Sequence, residues 1–106
     1  VLKGKVCKFK TKKAKVPHMG WNQLKSVADH PVLRQLNQSD YFYFVHSYYP
    51  EPADMECVVA TCDYEINFPV AIGSNNLVAT QFHPEKSGKV GLRVLENFSK
   101  WDGEVK

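Results

Sequence analysis

Gln81-Phe82-His83-Pro84-Glu85-Lys86 closes an apolar run, Leu77 to Phe82, that reads as a strand, and it stands directly before a run that reads as a helix. His83 and Glu85 are two positions apart. On an extended backbone, i and i+2 point to the same side, so this imidazole and this carboxylate either hydrogen-bond or face one pocket. A carboxylate on one ring nitrogen fixes the tautomer and leaves the other nitrogen free as a base. The pair is therefore half of a nucleophile–His–acid triad. The plain alternative is a surface His beside a surface Glu.

After this stretch, Ser87 is a candidate N-cap. Gly91, Val94, Leu95 and Phe98 fall at helical spacing, with Trp101 extending the row. The spacing predicts a helix whose apolar stripe packs on a core, with Arg93, Glu96 and Lys100 away from that face and Gly103 at its stop.

Before the stretch, strands dominate. Residues 4–10 read as a strand, with a polar turn through Thr11-Lys12-Lys13. Val16 to Asn22 reads as extended, broken by Pro17 and Gly20. Asp29-His30-Pro31 reads as a helix start, Val32, Leu33 and Leu36 forming one apolar face. Tyr41 to Tyr49 reads as one strong strand ended by Pro50 and Pro52. Glu56–Tyr64 and Phe68–Ile72 read as strands joined by the turn Glu65-Ile66-Asn67. Gly73-Ser74-Asn75-Asn76 is a second turn. A complete α/β domain alternates strands with helices. A hairpin-rich body with one good C-terminal helix reads as the latter part of something larger.

The 106 residues hold one domain at most, and 43% hydrophobic content with many aromatics excludes a disordered chain. No apolar run reaches the ~20 residues of a membrane span, and no signal-like leader is seen. The first residue is Val1 rather than Met, which points to a cut, processed or truncated chain. Cys7, Cys57 and Cys62 form no disulfide framework, so a reducing, cytoplasmic setting is expected. No Cys-x-x-Cys and no zinc-finger His spacing occur, so neither metal nor cofactor is expected.

Seven of the fourteen basic residues lie before residue 16, and the remaining seven face all eleven acidic ones. A basic arm of this kind can serve nucleic acid. Here Lys8 and Lys10 alternate with Cys7 and Phe9, as the wet face of a half-buried strand does, and no Arg accompanies them. A solvated strand and lysine-rich turn is the preferred reading, with no nucleic acid and no membrane as partner.

Gln81-Phe82-His83-Pro84-Glu85-Lys86-Ser87 resembles the His/Glu motif of class I glutamine amidotransferases, and its Lys-Ser ending resembles the glutaminase subunit of imidazole glycerol phosphate synthase. Val16-Pro17-His18-Met19-Gly20-Trp21-Asn22 and Tyr43-Phe44-Val45-His46-Ser47-Tyr48 resemble two further segments of that subunit, in the same order. The resemblance covers essentially the whole chain. It implies an α/β fold of which residues 1–106 form the C-terminal part, and hydrolysis of glutamine to glutamate and ammonia by a Cys–His–Glu triad. His83 and Glu85 match its last two members. It implies that backbone around Ser47 and Tyr48 helps hold glutamine. It also implies that Trp21, Tyr43 and Lys86 lie toward a (β/α)8-barrel cyclase subunit, which receives the ammonia in histidine biosynthesis. Tyr43 and Trp21 have core packing as the plain alternative, and His46 reads as a hydrogen-bonded core histidine rather than a catalytic one.

The family's nucleophile sits on a strand-to-helix elbow in a Gly-x-Cys-Leu-Gly-like context. Cys7, Cys57 and Cys62 have no flanking glycines and no following helix. The glycine-rich oxyanion segment is also absent, and Glu65 stands where relatives often carry Gly. The expectation is a C-terminal half whose nucleophile comes from outside it, inactive alone and prone to self-association. A noncatalytic module keeping the cyclase-facing surface is the alternative.

Overall fold

The computed structural model of the chain describes residues 3–10, 16–37 and 39–104. The turn expected at Thr11-Lys12-Lys13 lies outside the described residues. The strands are β1 (Gly4–Lys8), β2 (His18–Val27), β3 (Tyr41–His46), β4 (Tyr48–Pro52), β5 (Val58–Tyr64), β6 (Ile66–Ser74) and β7 (Leu77–Thr80), followed by α1 (Gly88–Lys100). They form a five-stranded sheet of order β3-β2-β5-β6-β7 and a two-stranded ribbon of β1 and β4. Every pairing among the described residues is antiparallel. Among the described residues, the hairpin-rich body and single C-terminal helix are those expected.

Alternation explains the sheet's two faces. In β3, Phe42, Phe44 and His46 point inward and Tyr41, Tyr43 and Val45 outward. Phe9, Phe42, Phe44, Phe68, Phe82 and Val94 are all buried in one core. Burial of each such aromatic is worth about 1.5–3 kcal/mol. Phe42 and Phe82 pack with ring centroids 4.5 Å apart, and Phe9 meets Phe68 edge-on at 4.9 Å.

Several expected boundaries move. Tyr41–Tyr49 is not one strand: the chain bends at Ser47, leaves the large sheet and joins the ribbon. Pro50 lies inside β4, opposite Val6, and Pro52 is its last residue, opposite Gly4, so the chain stays extended past the first of the two prolines. A strand with one partner tolerates proline, because its other edge needs no donor. Gly4 is required there, since a Cβ would come within 2.6 Å of the Glu51 carbonyl. Between β5 and β6 the turn shrinks to Glu65, at φ 66. Ile66 and Asn67 join the ladder, because Ile66 packs on the core and Asn67 Nδ2 donates to Asp63 Oδ1 at 2.8 Å. The helix expected at Pro31 is a single 3-10 turn, Pro31–Leu33, with Val32 and Leu33 buried.

The helix stripe is rotated from the one the spacing predicts. Gly91 and Val94 are buried, but Leu95 and Phe98 are 40% and 53% exposed. Val90 and Trp101 pack on the core. Asn97 Nδ2 donates to the carbonyls of Val32 (3.2 Å) and Arg34 (2.9 Å), and Arg93 Nη1 donates to the carbonyl of Gln35 (2.9 Å). These polar ties to the 3-10 turn and the segment after it set the helix's rotation and leave Leu95 and Phe98 on an uncovered flank.

Candidate active site

His83 is delivered by a bend rather than by a strand. β7 ends at Thr80, and Phe82, 2% exposed, anchors the following turn against Phe42 and Phe44. His83 is extended (φ −101, ψ 97), and Pro84–Lys86 form a 3-10 turn with Pro84 in its first position. Within this turn His83 Nδ1 lies 3.1 Å from Glu85 Oε1. The expected contact is present, but the turn makes it rather than the strand pleat. With the carboxylate ionised, Nδ1 carries the proton and donates, and Nε2 keeps its lone pair. The side chains are 38% and 56% exposed, so an incoming group can reach the ring.

Ser87 fixes this turn to the sheet edge. Its Oγ donates to the His83 carbonyl (2.6 Å) and accepts the Tyr43 N–H (3.0 Å). The N–H of His83 donates to the Tyr43 carbonyl at 3.0 Å. Ser87 is the N-cap residue of α1, as expected, but its hydroxyl serves the β3 edge and makes no cap bond to the helix. Gly91 lets the helix approach: a Cβ there would clash with the Pro84 carbonyl.

Ser47 and Tyr48 line a groove of about 330 Å³ with His46, Tyr49, Val70 and Gln81. Its wall reaches Gln81, two residues before His83, and His83 itself is not part of it. Trp21 and Tyr43 stand directly opposite each other on β2 and β3, with rings 5.7 Å apart. They lie on the outer face, where Trp21 is 54% exposed beside exposed Met19 and Tyr41. Core packing is thereby excluded for Trp21. Lys86 is exposed, in the turn that Ser87 ties to Tyr43.

The spacing argument passed over His18 and Asn22. His18 lies opposite His46 in the β2–β3 register, and both are buried. His18 Nδ1 is 3.0 Å from His46 Nε2, and His46 Nδ1 is 2.8 Å from the Tyr48 carbonyl. Asn22 Nδ2 is 3.3 Å from His18 Nε2. Burial pushes the His18 pKa down to about 4, and the neighbouring His46 pushes the same way. His46 is lowered chiefly by burial; the Tyr48 carbonyl opposes this and the charge of His83 adds to it. The signal in the sequence was period-2 alternation, which puts His18 and Asn22 on the inward face with Leu24.

Cys62, on β5, is fully buried and its thiol donates to the Gln23 carbonyl at 3.1 Å. Burial pushes its pKa up to about 12. The Cys7 thiol, bonded to Glu51 at 3.1 Å, is also raised, first by that bond. Cys57 ends a 3-10 turn, Met55–Cys57.

The family model described as glutamine amidotransferase class-I matches residues 2–101. The chain belongs to the class-I glutamine amidotransferase family, and its strand-rich body with one C-terminal helix is part of that α/β fold. It is 51% identical over 98 residues to imidazole glycerol phosphate synthase subunit HisH of Methanocaldococcus jannaschii, covering 92% of this chain and 49% of the relative. Subunit HisH of Acinetobacter baylyi is 53% identical over 89 residues, covering 83% and 43%. Subunit HisH of Nitrosococcus oceani is 47% identical over 105 residues, covering 97% and 50%. The chain spans about half the length of the curated relatives it matches.

Proposed function

We propose that this chain is the C-terminal part of a glutaminase subunit of imidazole glycerol phosphate synthase and supplies the His and Glu of its Cys–His–Glu triad. The observation that carries the reading is the His83 Nδ1–Glu85 Oε1 contact at 3.1 Å, in a turn pinned to the sheet edge. A cysteine thiolate attacks the side-chain amide carbon of glutamine. His83, held by Glu85, accepts the thiol proton at Nε2 and returns it to the departing ammonia. Water then cleaves the thioester, with His83 again the base, and glutamate leaves.

The nucleophile comes from outside these residues. Cys62 is buried with a strongly raised pKa and lies on β5, separated from β3 by β2. Two strand spacings, about 9–10 Å, separate it from the strand that holds His83. Cys7 is raised and bonded to Glu51. A thiol that cannot ionise readily is a poor nucleophile. Cys57 ends the 3-10 turn that leads into β5, on the same side of β2 as Cys62, so on this reading the chain alone is inactive. The backbone around Ser47 and Tyr48, in the groove wall, holds the glutamine.

The ammonia passes to a (β/α)8-barrel cyclase. The uncovered face of Met19, Trp21 and Tyr41, with Tyr43 and Lys86 beside it, is the surface that docks there. Aromatic clusters of this kind supply most of the energy of an interface. The same exposed face favours the second reading, a noncatalytic module that binds the cyclase. Self-association, expected from the sequence, gains no support from the relatives.

Glutamine hydrolysis and cyclase pull-down separate these readings. The catalytic reading expects no turnover by the chain alone, and turnover when a nucleophile-bearing half and cyclase are supplied. Turnover by the chain alone rejects it. Cyclase capture with no turnover in either setting favours the module.

A further inference from the structure

His46 is buried, and its Nδ1 lies 2.8 Å from the Tyr48 carbonyl. A carbonyl only accepts, so His46 Nδ1 carries a proton. In a neutral ring Nε2 is then an acceptor, and the donor it faces is His18 Nδ1 at 3.0 Å. That assigns the His18 proton to Nδ1 as well, leaving His18 Nε2 to accept from Asn22 Nδ2 at 3.3 Å. Asn22 is itself anchored, donating to the Asp63 carbonyl (2.9 Å) and accepting the Gln23 N–H at Oδ1 (2.8 Å). One arrangement of protons satisfies both neutral rings, and every bond in the row runs the same way, from Asn22 to Tyr48. Phe9, Phe44, Tyr64 and Phe68 pack around the two rings, and this apolar surround strengthens the bond between them.

The row ends at the point where the backbone leaves the five-stranded sheet for the ribbon. The Ser47 carbonyl is held by the Phe9 N–H at 3.0 Å and the Tyr48 carbonyl by His46. Both residues line the groove. We infer that His18 and His46 are positioning residues for glutamine binding: their ordered row of hydrogen bonds fixes the Tyr48 peptide in the groove wall. This rests on the glutaminase reading. A phenylalanine in place of His46 would fill the space but leave the Tyr48 carbonyl unheld, and one in place of His18 would leave His46 Nε2 without its donor. A fixed carbonyl orients the flanking N–H groups, which are what a bound amino-acid ligand can use.

The test uses the full-length glutaminase subunit with its cyclase. Histidine-selective 15N NMR of the wild type at pH 7 is expected to show both rings neutral, each protonated at Nδ1. His46→Leu is expected to raise the glutamine KM about tenfold with kcat within about threefold, the effect of one lost buried hydrogen bond. His46→Asn, whose amide nitrogen reaches the Nδ1 position, is expected to restore most of the KM. Either ring protonated at Nε2 or charged overturns the inference, as do equal KM values for the Leu and Asn variants. Absence of wild-type turnover overturns the glutaminase reading instead; the NMR pattern tests the ordered row in that case too.

Discussion

His83 and Tyr43 hold each other's backbone: the His83 N–H donates to the Tyr43 carbonyl at 3.0 Å, and Ser87 Oγ takes the Tyr43 N–H beside it. The candidate base and the outward aromatic strand are thus one rigid unit. Ser87→Ala leaves the half-buried Tyr43 N–H without its acceptor. It should lower stability by about 1–3 kcal/mol in urea unfolding.

The contact between α1 and the 84–87 turn depends on Gly91. Gly91→Ala forces a methyl group into the Pro84 carbonyl and should cost about 3 kcal/mol or more. Phe98→Glu, on the uncovered flank, should change the stability of this chain by less than about 0.5 kcal/mol. Thermal or urea unfolding of both variants distinguishes the two surfaces.

Acid should loosen the fold through His18 and His46. The folded His18 has a pKa of about 4 against an ordinary 6.5. Above pH 6.5 both states are neutral and the full stability is present. As pH falls from 6.5 toward 4, the unfolded chain binds a proton that the folded chain refuses, so stability is lost. The loss is at most about 1.4 kcal/mol per pH unit for each histidine. Unfolding free energies across this window should slope downward toward acid, and His18→Phe should flatten the slope.

Cys62 should resist alkylation in the native state. Its thiol is buried, bonded to the Gln23 carbonyl and raised to about 12. Iodoacetamide treatment at pH 8 followed by peptide mass spectrometry should leave Cys62 unmodified until denaturant is added. Rapid native labelling would show that the β5 core opens.

Local patterns were legible and long-range ones were not. Alternation in Tyr41–His46 and the His83–Glu85 pairing follow from neighbouring residues, and both were readable. The His18–His46 contact depends on the β2–β3 register, which no single segment encodes. The rotation of α1 depends on Asn97 and Arg93 reaching carbonyls at residues 32, 34 and 35, far away in the chain. Pro50 and Pro52 look like strand breakers only until β4 is known to have one partner. Ser87 is the N-cap residue its position suggests, but the use of its hydroxyl was illegible because the partner, Tyr43, lies 44 residues earlier.

The most direct measurement is the rate of glutamine hydrolysis by the full-length subunit bound to its cyclase, comparing wild type with His83→Asn and Glu85→Gln. If His83 is the base and Glu85 steers it, His83→Asn should lower kcat by at least about 10³-fold and Glu85→Gln by about 10²-fold or more. A His83→Asn enzyme that hydrolyses glutamine within about threefold of wild type would contradict the assignment of this imidazole to the reaction.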